Sequence, residues 1–414
     1  MIILDKKIIA IAVVAIVIVA AAAAVVLSSG EKDKEELSIV GRVNTDGSGL
    51  FVKEGVDASK MVTIVNEEPK SGAYLGGNGT WVVFNKEAWG GLVIADPGAS
   101  TIQHVQLSTI VETMGLDFVQ YTNGTSLDKN AVYYLPGIGK YADFTSKLGT
   151  TPALSGAIFW EPQFSVALLD GCSAVATTNQ MFPGHTCCVI GANNSYMESH
   201  ENETVRFLAA YIESVEKMTA AIKEGSGAAY DEVIKVAKDK VSLPTDLTDA
   251  QKEEAIKDAF KLVVYKYADT TDKNASDPLA QLKKDVTQLS QDLYETGQMK
   301  NDYKALGFAT GEEFGNKFVQ SQYMKSAMNY QKESSYDDKA TITVAVIGGD
   351  IHQLAIHYGM ALGIFESYGI DVKISSQQAG PAVYTAIHNG ECQFGFIGAP
   401  PMTINSMNAE EVRP

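Results

Sequence analysis

The stretch Pro97-Gly98-Ala99-Ser100-Thr101 sets two hydroxyls, at Ser100 and Thr101, where an apolar-periodic run begins, beside a backbone left open at Gly98. That arrangement suits capture of an anion. First-turn N–H groups of a helix are unpaired and carry partial positive charge, and hydroxyls can donate beside them. A plain capped helix would use the same residues for itself. Gln378-Ala379-Gly380-Pro381 repeats the logic, with Pro381 suited to a first helical turn. Gly398-Ala399-Pro400-Pro401 reads as a rigid wall poor in side chains, or simply as a turn. Gly348-Gly349-Asp350-Ile351-His352 follows an apolar strand, and Asn44-Thr45-Asp46-Gly47-Ser48 lies between two. Both are expected to bring polar groups to the same cleft. Trp160-Glu161 ends a further strand. Trp160 offers a stacking face and Glu161 an acceptor, with core packing and a surface carboxylate as the ordinary alternatives.

Catalytic chemistry finds little support. G-x-S-x-G, G-x-x-x-x-G-K-[ST] and H-E-x-x-H are all missing from the sequence. Cys172, Cys187, Cys188 and Cys392 contain no C-x-x-C pair, and the six histidines are scattered. No catalytic residue, cofactor or metal is therefore expected. A disulfide from Cys172 to Cys187 or Cys188 and buried free thiols are both open readings.

Short apolar strands alternating with helical patterns position these loops, the signature of parallel sheets. Strands are expected at 92–95, 118–121, 156–160 and 187–190, with a helix over 101–114. A second alternating region closes the chain: strands 341–347, 371–375 and 393–397, and helices 351–365 and 382–389. Between the two, 203–222 carries a helical stripe, and Leu279, Leu282, Val286, Leu289 and Leu293 repeat at 3,4,3,4 spacing. That stripe predicts helix packing within a domain, since a coiled-coil seam needs more heptads. The polar stretch 331–339 reads as a linker.

The 414 residues suffice for two lobes with real cores. A formal net charge of −17 argues against nucleic acid and anionic membrane surfaces as partners. Residues 8–27 carry no charged or polar side chain and follow Lys6 and Lys7. Twenty helical residues span about 30 Å, one hydrocarbon core, with the remainder outside. An uncleaved anchor is the expectation, and a cleaved signal peptide, whose apolar region is usually about 7–15 residues, is the rival. Residues 28–36 form a polar tether. Asn-x-Ser/Thr triplets at Asn78, Asn123, Asn193, Asn202 and Asn274 agree with an exported chain.

"ITVAVIGGDIHQLAIHYGMALGIFESYGIDVKISSQQAGPAVYTAIHNGECQFGFIGAPPMTI" resembles the opening of solute-binding proteins of nitrate, sulfonate and taurine type ABC importers. "ADPGASTIQHVQLSTIVETMGLD" is similar to the start of that family's second lobe, "AIFWEPQFSVALLDG" and "FPGHTCCVIGANNSYM" to later parts of it, and "ETVRFLAAYIESVEKM" to its closing segment. "SIVGRVNTDGSGLFV" is similar to the stretch that in the family directly follows "GAPP". The resemblance covers nearly everything after the tether except 57–89. Its order is 341–414 then 37–330, whereas this chain runs 37–330 then 341–414. The resemblance thus implies a circular permutant; a fragment of a tandem array is the alternative.

The resemblance implies a two-lobed periplasmic-binding-protein-like α/β fold, each lobe a mostly parallel sheet flanked by helices, after an N-terminal transmembrane helix. The expected division is first lobe 37–90, second lobe 91–190, helices 191–330 packed on the first lobe, linker 331–340, and the first lobe's α/β half 341–414. The implied function is capture of a small polar ligand outside the cell for an ABC permease by hinge closure. A sensor or scavenger without transport is the rival. A pyrimidine-synthase-like enzyme of the same fold is a more distant one, because its cysteine-rich motif is not matched by Cys187-Cys188 alone. Asp46, Asp350 and Glu161 would repel a bare anion such as nitrate, so a zwitterion, an amine-bearing sulfonate or a pyrimidine suits a mixed site better.

Overall fold

One buried run opens the described residues and breaks in two at a single glycine. β1 (Leu37–Asp46) and β2 (Ser48–Val52) are fully buried. Asp46 and Gly47 between them take φ of 61° and 94°. The left-handed conformation turns the chain out of one sheet and into another. A side chain at Gly47 would also strike His352, whose Nε2 lies 2.6 Å from the position of a Cβ.

The computed structural model describes residues 36–410 and 412–414, a mixed α/β structure. The apolar run 8–27 and the expectation of a membrane anchor lie outside the described residues; among the described residues no helix is long and apolar enough to cross a membrane. β3 (Val62–Val65), β4 (Tyr74–Gly77) and β5 (Thr80–Phe84) form a small sheet. β6 (Val93–Ala95), β7 (Asp117–Gln120), β8 (Ala131–Leu135), β9 (Leu154–Trp160) and β10 (Ser173–Thr177) follow, then β11 (Thr186–Asn193), β12 (Val263–Tyr265), β13 (Ala340–Ile347), β14 (Ile370–Gln377) and β15 (Phe394–Gly398). The first six-stranded sheet has the order β12-β1-β11-β15-β13-β14, and the second β10-β2-β9-β6-β8-β7.

These sheets are less parallel than expected. β13 runs parallel to β14 and β15, but β15–β11, β11–β1 and β1–β12 are antiparallel. In the second sheet β6, β7, β8 and β9 pair in parallel, while β2 and β10 are antiparallel. Strand–helix–strand units give most of the parallel pairs, and the ten-residue loop 121–130 joins β7 to β8. β2 and β11 instead enter from crossovers between the sheets and run against the parallel strands, while β1, antiparallel to β11, runs with β13, β14 and β15.

Alternation along the strands feeds two cores from the second sheet. Leu50, Val52, Ile94 and Ile158 pack with Leu107, Ile110 and Val111 of helix Ile102–Thr113. Phe51, Val93, Ala157 and Phe159 face the other way, onto Phe144 and Phe164. The first sheet has one large core. There helix Glu201–Glu224 packs against helices Ser321–Met328 and Leu354–Ala361. Helix Ala280–Glu295 buries Leu282, Val286, Leu289 and Leu293 beside Phe314 and Phe318, so its stripe serves packing within the fold.

Several expected boundaries move. β2 and the 62–84 sheet core pack with the second sheet, not the first, because the chain crosses over already at Gly47. β11 belongs to the first sheet, through a return crossover after β10. Helix Asp249–Leu262 contacts helix Gln163–Leu169 of the second sheet. The single helix expected over 351–365 is a 3-10 turn, Ile351–Gln353, then helix Leu354–Ala361 and turns, with Gly363 at φ 65°. β8, helix Tyr141–Leu148 and the 62–84 strands were not legible as elements. The polar stretch 331–339 is stapled down. The fully buried Arg206 guanidinium reaches the Asp338 carboxylate at 3.2 Å and lies 5.0 Å over the Tyr336 ring. Asn193 cannot serve as a glycan acceptor as folded. It is buried, and its Oδ1 accepts from Tyr196 N at 2.9 Å to cap helix Asn194–Ser199; the other four triplet asparagines are exposed. All four cysteines are free thiols, which removes the disulfide alternative.

Candidate ligand-binding site

Strand ends from both sheets meet at one cavity of about 220 Å³. Parallel strands β13, β14 and β15 deliver Asp350 and His352, Gln378 to Pro381, and Gly398, Pro400 and Pro401 at their carboxyl ends. From the second sheet come Pro97, Ser100, Thr101 and Gln103 after β6, and Trp160 at the end of β9. Carboxyl ends of parallel strands are the customary binding edge of such sheets. A larger but shallow depression at 56–64 and 173–175 brings together no convergent polar constellation.

Three helix N-termini point at this space. Helices Gly380–His388 and Ala399–Asn408 have no side-chain cap, but Pro381, Pro400 and Pro401 carry no N–H and Ala382 N donates to Ala379 O at 3.1 Å, so these starts offer the positive end of the helix dipole with few free donors. Helix Ile102–Thr113 is capped by Thr101. Asp96, fully buried, organises that start: it accepts from Gly98 N at 2.7 Å and lies 3.0 Å from His104 Nδ1. Thr101 Oγ1 donates to Gly98 O at 2.7 Å, so its hydroxyl serves the loop and not a ligand. Ser100 is the hydroxyl this loop presents to the cavity.

His352 is held by two acceptors. Nδ1 lies 2.7 Å from Asp350 Oδ1, and Nε2 lies 3.1 Å from Gly47 O. Neither partner can donate, so both ring nitrogens carry protons and the ring is an imidazolium. Burial opposes the charge, but the Asp350 carboxylate, the Cys187 sulfur and the Gly47 carbonyl outweigh it and lift the pKa to about 9. The cavity wall thus holds a neutral His352–Asp350 pair, anchored at the crossover.

Folding stability inherits a pH dependence. A pKa raised from 6.5 to about 9 contributes stability that is complete below pH 6.5 and lost as pH rises through 9. The shift corresponds to roughly 3 kcal/mol. Glu161 has the same sign over a lower window: burial, against its Ser165 hydrogen bonds, raises it from 4.5 to about 7. His357 has the opposite sign; burial, aided by Lys240, lowers it to about 4, and its contribution is lost as pH falls from 6.5 through 4. The expected result is a fall in melting temperature between pH 6.5 and 9 that His352→Gln flattens. Calorimetric melts across that range check it.

Of the candidate residues, Ser100, Thr101, Trp160, Asp350, His352, Gln378, Gly380 and Pro400 line the cavity. Seven do not. Glu161 is fully buried and caps helix Gln163–Leu169, accepting from Ser165 N at 3.1 Å and from Ser165 Oγ at 2.9 Å. Asn44, Thr45 and Asp46 are buried in the crossover. Asn44 Nδ2 donates to Asp46 O at 3.1 Å, and Asp46 Oδ1 accepts from Gly184 N at 3.0 Å. Gly98 shapes the turn with φ 119°, and Ala399 is buried in its helix start. Gly349 lies against Ser242, whose N–H donates to its carbonyl at 2.9 Å. Of the three carboxylates expected to repel an anion, Asp350 alone lines the cavity, and His352 neutralises it.

Sequence reasoning missed Gln103, Cys187 and Cys188. Gln103 Nε2 donates to Ser48 Oγ at 2.9 Å, tying the helix start to the crossover. The cysteines reach the wall through a bulge: Asn44 pairs with Cys188 and Thr45 with Thr186, leaving Cys187 as the extra residue.

No family model, curated protein or solved structure matches this chain.

Proposed function

We propose that the protein is an extracytoplasmic solute-binding protein of the nitrate, sulfonate and taurine class, circularly permuted, which closes two lobes around a small anionic or zwitterionic ligand for an ABC importer. The observation that carries this reading is the convergence of helix N-termini from both sheets on one cavity, two of them uncapped, beside a wall whose carboxylate is neutralised. The positive ends of these helix dipoles and the Ser100 hydroxyl reward an anionic group that bridges the sheets, and such a ligand favours the closed state by its differential affinity. The crossover at Asp46-Gly47 is suited to a hinge, because two residues there absorb the turn between sheets. Permutation draws support from the sheet order: β15, near the end of the chain, lies beside β11, which pairs with β1.

A thermal-shift screen of nitrate, alkanesulfonates, taurine and pyrimidines tests the reading. A ligand at a hundred times its Kd adds about 2.7 kcal/mol, a shift of several degrees. Absence of a shift from every anion and zwitterion, in protein that melts cooperatively, overturns it.

A further inference from the structure

We infer that Cys187 and Cys188 form a dithiol site in the cavity wall for trivalent thiophilic metalloids, arsenic(III) in particular. Successive side chains on a regular strand point to opposite faces. The β11 bulge breaks that rule, so both cysteines line the same cavity with their sulfurs 3.8 Å apart. Both retain slight exposure, 5% and 4%. β1 and β15 hold Cys188 on either side, through Asn44 and Gly398, so the pair is preorganised.

Competing uses fit less well. Among the described residues no group of three His, Cys, Asp or Glu side chains could hold a metal ion, so a tetrahedral zinc site lacks its ligands. Adjacent Cα atoms lie about 3.8 Å apart, below the usual span of a disulfide at about 4.4–6.8 Å. Oxidation would therefore distort a strand paired on both sides. A pyramidal trivalent centre whose third position is held by a carbon or hydroxyl substituent needs only two sulfurs and a small closing movement of them.

The electrostatics favour attack by Cys187. A hydrogen bond from Cys188 outweighs burial and, with the His352 and His185 rings, holds the Cys187 thiol below the usual range; Cys188 is pushed up as the donor. With phenylarsine oxide as probe, Cys187 sulfur attacks arsenic and Cys188 sulfur follows. Two As–S bonds form, the As–O bonding is lost, and the oxygen leaves as water with both thiol protons. Arsenic stays trivalent and no electrons are exchanged. The inference shares its cavity with the function proposed above but requires only that small molecules reach the wall.

The test uses the reduced full chain. One phenylarsenical per chain is expected, with two of the four thiols lost to titration and the adduct mapped by peptide mass to the segment holding 187 and 188. A dithiol should release it and a monothiol should not. Cys187→Ser and Cys188→Ser should each weaken capture at least tenfold, while Cys172→Ser and Cys392→Ser keep it. Mapping of the wild-type adduct decides the matter even if a variant misfolds. Three results overturn the inference: an adduct on Cys172 or Cys392, undiminished capture by both C187S and C188S, or loss of thiols as a disulfide with no arsenic bound. Arsenical capture without any solute shift sinks the transport reading alone, and the reverse result sinks this one alone.

Discussion

Substituting glutamine for His352 is expected to weaken binding of a simple anion about a hundredfold. The substitution removes the cation and leaves Asp350 as an uncompensated carboxylate in the cavity wall. Two like charges about 6 Å apart repel by roughly 3 kcal/mol at an effective dielectric near 20. That is about two decades in affinity. Adding Asp350→Asn removes the repelling charge, so the double variant should recover most of the loss. A zwitterion whose amine approaches Asp350 behaves differently: His352→Gln alone costs it little, and Asp350→Asn costs it more. Titration calorimetry at two salt concentrations separates the cases. Equal affinity in wild type and both variants would mean that the bound molecule never meets this wall.

Arg42→Ala should lower the unfolding free energy by about 3 kcal/mol, the lower end of the range for breaking a buried pair, because water reaches the acidic partners. Arg42 Nε contacts Asp269 Oδ1 at 2.6 Å and Nη2 contacts Asp285 Oδ2 at 2.7 Å, while Nη1 donates to Thr186 Oγ1. The arginine is 2% exposed and the two carboxylates 14% and 24%. Asp269 in turn accepts from Gln281 N at 2.7 Å and Leu282 N at 3.0 Å, which seats the start of helix Ala280–Glu295. One guanidinium therefore joins β1, β11 and that helix. Arg42→Lys keeps the charge but not the fork, so an intermediate loss is expected. Urea unfolding measures both; a lower midpoint at unchanged slope is the expected signature. A wild-type midpoint in Arg42→Ala would show that these contacts contribute nothing net.

Most strands of both sheets, and the three loops that become helix starts, are legible in the amino-acid order alone. Those signals are local: apolar runs of strand length, glycine and proline at their ends, and the helical period beyond. That the closing segment shares a sheet with the opening one is also legible, since a strand such as 394–397 that feeds a small-residue loop needs further sheet beside it; β15 lies in the sheet of β1, with β11 between them. Which polar residues face the cavity depends instead on the folded chain. Glu161 and Ser100 each follow the end of a strand, yet Glu161 turns inward to cap the helix that follows it, while Ser100 remains on the wall. Asn44, Thr45 and Asp46 look like a ligand loop in sequence but are consumed by the crossover, a property of two sheets that no local pattern carries. Asp350 and His352 are two residues apart, but the charge state of the ring depends on Gly47 O, which lies 305 positions away along the chain. The dithiol likewise depends on pairing: Cys187 and Cys188 share a face because β1 is one residue short opposite them, and register exists only once strands have found their partners.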